Sequence, residues 1–201
     1  DIIVVQKQRL IESGDDTPDS SVRKLFIFSY NIKREEYAYY MNLPIVQKKI
    51  FDFVSLIDRK IKGEPISHIT GYRYFWKDQF YVNRNVLDPR PESELIVEIG
   101  KNFLLDGVKV LDVGAGSGCV GLSLKRENPN INITLSDISK SAIMVMKRNA
   151  KMLKMNCAFV NSDMFKNIKD RFDLIVCNLP YIKTSQLISL PQEVILFEPH
   201  Q

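Results

Sequence analysis

The sequence predicts an α/β protein: a parallel sheet covered by helices, preceded by a small helical domain and a β-hairpin. Three observations predict it. From Lys109 onward, short apolar runs alternate with segments of helical periodicity, the pattern of strand–helix–strand units in a parallel sheet. Residues 1–62 show only helical spacing. Between the two lies an aromatic and β-branched stretch, residues 63–83, with a polar Lys-Asp near its middle, as a hairpin requires.

The helical region opens with a helix over Ile2 to Glu12. The turn chemistry of SGDDTPDSS follows, where an aspartate or serine can cap a second helix over Ser20 to Tyr30. A third helix runs from Arg34 to Met41. In IVQKKIFDFVSLIDRKI, Val46, Ile50, Phe53, Val54, Ile57 and Ile61 recur at helical spacing and form one buried stripe. GEPISHITGYRYFWKDQFYVN then reads as the hairpin. PRPESELIVEIGKNFLL returns to helical spacing, with Pro91 suited to a first turn and Glu92 and Glu94 to the positive end of the dipole. KVLDVG, NITLSD, CAFVNSD and FDLIVCN read as four strands, with helices at SGCVGLSLKREN and SKSAIMVMKRNAKMLK. The expected domains are residues 1–62, helical; 63–90, hairpin linker; and 91–201, the sheet domain.

Hydrophobic residues make up 45% of the 201 and charged residues 26%, normal for a globular domain. A net charge of +4 is too small to argue for nucleic acid as a direct partner. The apolar runs fall far short of a bilayer span and no signal peptide is visible, so a cytoplasmic chain away from membranes is expected. Cys119, Cys157 and Cys177 lack CxxC spacing and are odd in number, which predicts buried free thiols in a reducing compartment. No metal-ligand spacing is present. His68 and His200 have no evident catalytic partner and are expected to be structural or exposed.

Ligands of parallel sheets gather at the carboxyl ends of the strands. The first strand ends in DVGAGSG, where Gly114, Gly116 and Gly118 let the backbone turn tightly and approach a ligand. The spacing is neither the GxGxxG dinucleotide fingerprint nor a phosphate loop. The second strand ends at Asp137, where a carboxylate can accept both hydroxyls of a ribose or simply open the next helix. The third ends in NSDMF, which either places Asp163 and Met164 beside an adenine-sized gap or makes them a capping aspartate and a core methionine. The fourth ends in Asn178-Leu179-Pro180-Tyr181. An amide side chain there can bind the hydrogens of a substrate NH₂ group, the next carbonyl can accept one of them, and the tyrosine ring can stack on a planar substrate.

Together these residues resemble the Rossmann-like S-adenosylmethionine-dependent methyltransferases, and more narrowly the HemK/PrmC family, which methylates a glutamine side-chain amide in peptide chain release factors. DVGAGSG is similar to the family's cofactor loop and NLPY to its N-P-P-Y. GEPISHITGYRYFWKDQFYVNRNVLDPRPESELIVE is similar to its G-x-P-x-x-Y-I-x-G hairpin followed by P-R-P-[DE]-[ST]-E. DNA adenine methyltransferases share N-P-P-Y without that lead-in. The resemblance implies S-adenosylmethionine as cofactor, held by Gly114, Ala115, Gly116, Ser117 and Gly118 at its methionine portion and by Asp137 at its ribose. Asp163 and Met164 would flank the adenine, and Asn178 would border the cofactor. Asn178, Leu179, Pro180 and Tyr181 would bind the glutamine, with Asn178, Pro180 and Tyr181 as the catalytic set. A release factor is the implied partner, bound by the first 62 residues, and a monomer is expected.

Three departures bear on this. Leu179 replaces the first proline of N-P-P-Y, with loss of stiffening worth roughly 0.4–1 kcal/mol. Asp88 stands where the family has an apolar residue. The chain opens on Asp1 and stops at Gln201 in mid-pattern, with four strands where the family has about seven, so a fragment or degraded copy is expected. The competing readings are methylation of a nucleic-acid exocyclic amine, and a non-catalytic remnant that binds cofactor or release factor.

Overall fold

The computed structural model describes residues 2–41, 43, 47–179, 196, 197 and 199. The described residues divide into two compact units, one of residues up to Thr70 with Leu196 and Phe197, the other from Gly71 to Leu179 with Pro199.

The first unit holds α1 (Ile2–Glu12), α2 (Pro18–Tyr30), a 3₁₀ turn (Arg34–Glu36) running into α3 (Tyr37–Tyr40), α4 (Gln47–Ile61) and α5 (Ile66–Thr70). Leu10, Leu25, Phe26, Phe53 and Ile57 bury their side chains together, each contributing about 1.5–3 kcal/mol. Phe26 is the hub: its ring stacks on Tyr30 at 4.1 Å and meets Phe53 edge-on at 5.5 Å. Helix α2 starts at Pro18 rather than at the expected Ser20, because proline's missing N–H costs nothing in a first turn. It stops at Asn31, whose φ of 52° lets the Ile32 N–H return to the Ile27 carbonyl at 3.2 Å. Residues 66–70, expected inside the hairpin, form α5 instead. Ile69 joins the helical core, a tertiary gain that overrides local strand preference.

The second unit begins with β1 (Tyr72–Phe75) and β2 (Asp78–Tyr81), an antiparallel pair closed by Trp76 and Lys77. Trp76 takes a φ of 55°, which a bulky residue adopts only when its surroundings hold it there. Its backbone N–H donates to Glu94 at 2.8 Å and its indole N–H to Glu127 at 2.6 Å. Short 3₁₀ turns (Pro91–Ser93 and Lys101–Phe103) then flank α6 (Glu94–Gly100).

The sheet is built from β3 (Lys109–Val113), β4 (Asn132–Asp137), β5 (Ala158–Asn161) and β6 (Leu174–Cys177), with α7 (Cys119–Glu127) and α8 (Lys140–Met152) between strands. Its order is β5-β4-β3-β6 and every pairing is parallel. Val110, Leu111, Asp112 and Val113 of β3 are all buried, as expected for a strand covered on both faces. The chain steps outward from β3 to β5 and then returns to place β6 on the other side of β3. That reversal opens a crevice at the carboxyl ends of β3 and β6.

The three cysteines are free, but only Cys119 is buried; Cys157 is half-buried and Cys177 exposed. The expectation of three buried thiols fails at Cys177 because β6 alternates, and its buried position is Val176. Among the described residues no helix is long and apolar enough to cross a membrane, and no group of His, Cys, Asp or Glu is placed to hold a metal.

Candidate functional site

Beyond Val113 the backbone turns through Gly114, Gly116 and Gly118, with φ of 67°, 55° and 78°. Only glycine adopts such angles cheaply. The Ala115 N–H donates to the Ser136 carbonyl at 2.9 Å and the Gly118 N–H to the Ala115 carbonyl at 2.7 Å. The turn is therefore tied to β4 before it enters α7. A Cβ on Gly116 would meet nothing within 4 Å, so that segment stands open. A Cβ on Gly114 would lie 2.2 Å from Leu179 Cδ2, so the leucine that replaces proline packs directly over the turn.

Asp137, at the end of β4, braces the turn. Its Oδ2 accepts the Gly116 N–H at 2.9 Å and its Oδ1 the Ser139 N–H at 2.8 Å. Each oxygen keeps a further acceptor position. At the end of β5, the Asn161 amide donates to the carbonyls of Asp137 at 2.9 Å and Ile138 at 2.7 Å. Ser162 Oγ donates to the Met164 carbonyl at 2.9 Å, holding Met164 at a φ of 47°. Asp163 pairs with Lys166.

Asn178 follows β6, and its Nδ2 donates to Ser93 Oγ at 2.6 Å. Asp112 lies beneath the glycine turn with its Oδ2 accepting the Gly121 N–H at 2.9 Å. Burial pushes its carboxyl up to about 7, against the pull of that N–H and with a smaller push from Asp137. Burial likewise pushes the Cys119 thiol up to about 12, so it stays protonated and is no nucleophile at neutral pH.

These groups share one cavity of about 350 Å³, within the size range of small-molecule and cofactor pockets. Gly114, Ala115, Gly116 and Ser117 form one wall, Asp137, Asp163 and Met164 another, and Asn178 and Leu179 a third. Gly118 lies behind the turn instead, where a Cβ would approach the Met146 Cβ at 3.1 Å. Its glycine serves helix packing. Pro180 and Tyr181 lie outside the described residues, as does His200; His68 sits on α5 of the helical unit.

Sequence reasoning gave no role to several residues of the cavity, Ile138, Asp112 and Ser93 among them. Ile138 is 57% exposed and lines it beside Asp137; an apolar residue directly after a strand end is the signal. Asp112 looked like an ordinary strand residue. Ser93 lay in PRPESE, which marked a family and not a role.

Residues 91–196 match the family model of the methyltransferase small domain, which sets the class of the sheet unit. Residues 2–71 match the PrmC N-terminal domain. A release factor glutamine methyltransferase of Koribacter versatilis is 34% identical over 94% of this chain and 70% of its own length. The chain belongs to the release factor glutamine methyltransferase family. A second such protein, from Leptospira interrogans, is 42% identical over 69% of this chain and 51% of its own. A bifunctional methyltransferase of Rickettsia typhi is 33% identical over 96% of this chain, which spans 42% of that protein's length.

The residues present fit the family's cofactor, S-adenosylmethionine. A cavity of about 350 Å³ accommodates a nucleoside with an amino-acid tail, the Gly116 segment is open to close approach, and Asp137 offers acceptors to a diol.

Proposed function

We propose that this protein methylates the side-chain amide nitrogen of a glutamine in peptide chain release factors, with S-adenosylmethionine as methyl donor. The observation that carries the reading is that the glycine turn, Asp137 and Asn178 open on a single cavity. A cofactor seated on the first two brings its far end toward the third.

When bound, S-adenosylmethionine supplies a methyl group already activated by a positive sulfonium. The chain's task is placement. The backbone of Gly114 to Ser117 would hold the methionine portion, Asp137 would accept hydrogen bonds from the ribose hydroxyls, and Ile138, Asp163 and Met164 would border the adenine. Asn178 Oδ1 and the Leu179 carbonyl each accept one hydrogen of the glutamine NH₂; Pro180 and Tyr181, outside the described residues, belong to the same proposed substrate motif. An amide nitrogen is a poor nucleophile because its lone pair is delocalised. Fixed acceptors on its hydrogens twist and polarise it where charge develops. The transfer that the bound cofactor would supply exchanges its S–C bond for one N–C bond, and the nitrogen would release one proton to water.

In this reading residues 1–62 engage the release factor, 63–90 connect, and 91–201 carry the chemistry, in a cytoplasmic monomer. The test is incubation of the protein with S-adenosylmethionine and a purified release factor, followed by peptide mass spectrometry. One added methyl on one glutamine, absent when that glutamine is replaced, is the expected result. No transfer, or transfer to RNA or DNA instead, overturns it.

A further inference from the structure

Resting on that reading, we infer that Ser93 is a positioning residue that fixes which end of the Asn178 amide faces the substrate, and so sets the preference for an amide over an acid. The two residues are 85 positions apart, yet Asn178 Nδ2 sits 2.6 Å from Ser93 Oγ. Both line the cavity. Ser93 is 7% exposed and ends a 3₁₀ turn that starts at Pro91, with its own N–H donating to the Arg90 carbonyl at 3.0 Å. It is a rigid anchor at the foot of α6.

An asparagine side chain has a donor end and an acceptor end, and half a turn about its last torsion exchanges them. The exchange matters here more than at most sites. A glutamine NH₂ group offers two hydrogens and a delocalised nitrogen, so it must be met by an acceptor. A serine hydroxyl can meet either end of an amide; here Ser93 Oγ accepts from Nδ2, which leaves Oδ1 for the substrate. An amide turned the other way would set NH₂ against NH₂, and would match the carboxylate of a glutamate instead. Removing the hydroxyl removes the anchor and lets both orientations be populated.

The experiment compares the wild-type protein with Ser93→Ala and Ser93→Thr. Three readouts are taken: cofactor affinity by calorimetry, methyl transfer to a release factor, and binding of two release-factor peptides with glutamine or glutamate at the acceptor position. Wild type is expected to prefer the glutamine peptide. Ser93→Ala is expected to keep its cofactor affinity within about twofold and to lose about tenfold in kcat/KM, the worth of one net hydrogen bond. Its glutamine-over-glutamate preference should fall by a similar factor, and Ser93→Thr should restore both. An unchanged peptide preference in Ser93→Ala overturns the inference, as does wild type with no such preference. So does a Ser93→Ala loss matched by an equal loss of cofactor affinity, which marks a merely structural role. If wild type transfers no methyl group yet shows a peptide preference that Ser93→Ala abolishes, the assignment of Ser93 stands and the reading of turnover fails.

Discussion

The side chain of Asn149 pairs with both backbone groups of Tyr81 as a neighbouring strand would. Its Oδ1 accepts the Tyr81 N–H at 2.7 Å and its Nδ2 donates to the Tyr81 carbonyl at 3.0 Å. The same Nδ2 also donates to the Ser117 carbonyl at 2.8 Å. One fully buried amide therefore joins the hairpin, α8 and the glycine turn. Asn149→Leu fills the same space but leaves three backbone groups without partners, at about 1–3 kcal/mol each. The expected loss is about 3–5 kcal/mol, visible as a Tm lower by roughly 10 °C or more in thermal unfolding followed by circular dichroism. A fall of less than about 3 °C would show that water replaces the amide.

Much of the fold was legible because its segments keep their periods. Lys109 to Val113 and Asn132 to Asp137 read as strands, and Lys140 to Met152 as a helix, since apolar residues recur at the spacing each element demands. Gly114 to Ser117, Asp137, Asp163, Met164, Asn178 and Leu179 line one cavity because parallel strands deliver their ends to one side of a sheet. What was illegible depends on distant partners. Asn149 is one polar residue in the middle of a helix, and its partner Tyr81 is 68 positions away. Ser93 acquires a role only when β6 brings Asn178 beside it. Ile66 to Thr70 looked like strand residues until Ile69 had a helical core to enter.

Asp112 makes stability depend on pH in an unusual direction. Its carboxyl is raised from 3.8 to about 7 in the fold, first by burial. The native state therefore holds a proton that the unfolded chain releases, so this group's contribution is fully present below about pH 4 and is lost as pH rises through about 7. The cost of the ionised form is roughly 4 kcal/mol at most. Asp112→Asn keeps an acceptor for the Gly121 N–H and cannot ionise. Its Tm is expected to match wild type near pH 4 and to exceed it increasingly up to pH 8. A Tm difference that does not change with pH would place the charge elsewhere.

Asp137 is expected to govern cofactor affinity. Asp137→Ala removes the acceptor of the Gly116 and Ser139 N–H groups together with the proposed ribose contacts. A charge-assisted hydrogen bond of about 1.5–3 kcal/mol corresponds to a rise in Kd of roughly 10- to 150-fold. Asp137→Asn retains one oxygen and should fall between wild type and alanine. Calorimetric titration with S-adenosylmethionine measures both, and alanine binding as tightly as wild type would exclude Asp137 from the site.

Leu179 and Gly114 are expected to be energetically coupled through their contact. Gly114→Ala meets two obstacles: a φ of 67°, costing about 1–2 kcal/mol for a residue with a Cβ, and Leu179 Cδ2 at 2.2 Å from that Cβ. Leu179→Ala removes the second obstacle and leaves the first. The double variant should therefore be less damaged than the sum of the single ones, by about 1 kcal/mol in a double-mutant cycle of thermal stability. Cofactor affinity should follow the same order, because the Gly114 backbone carries the open segment at Gly116. Additive effects, within about 0.3–0.5 kcal/mol, would mean that Leu179 moves aside freely and that only the backbone angle demands glycine at this turn.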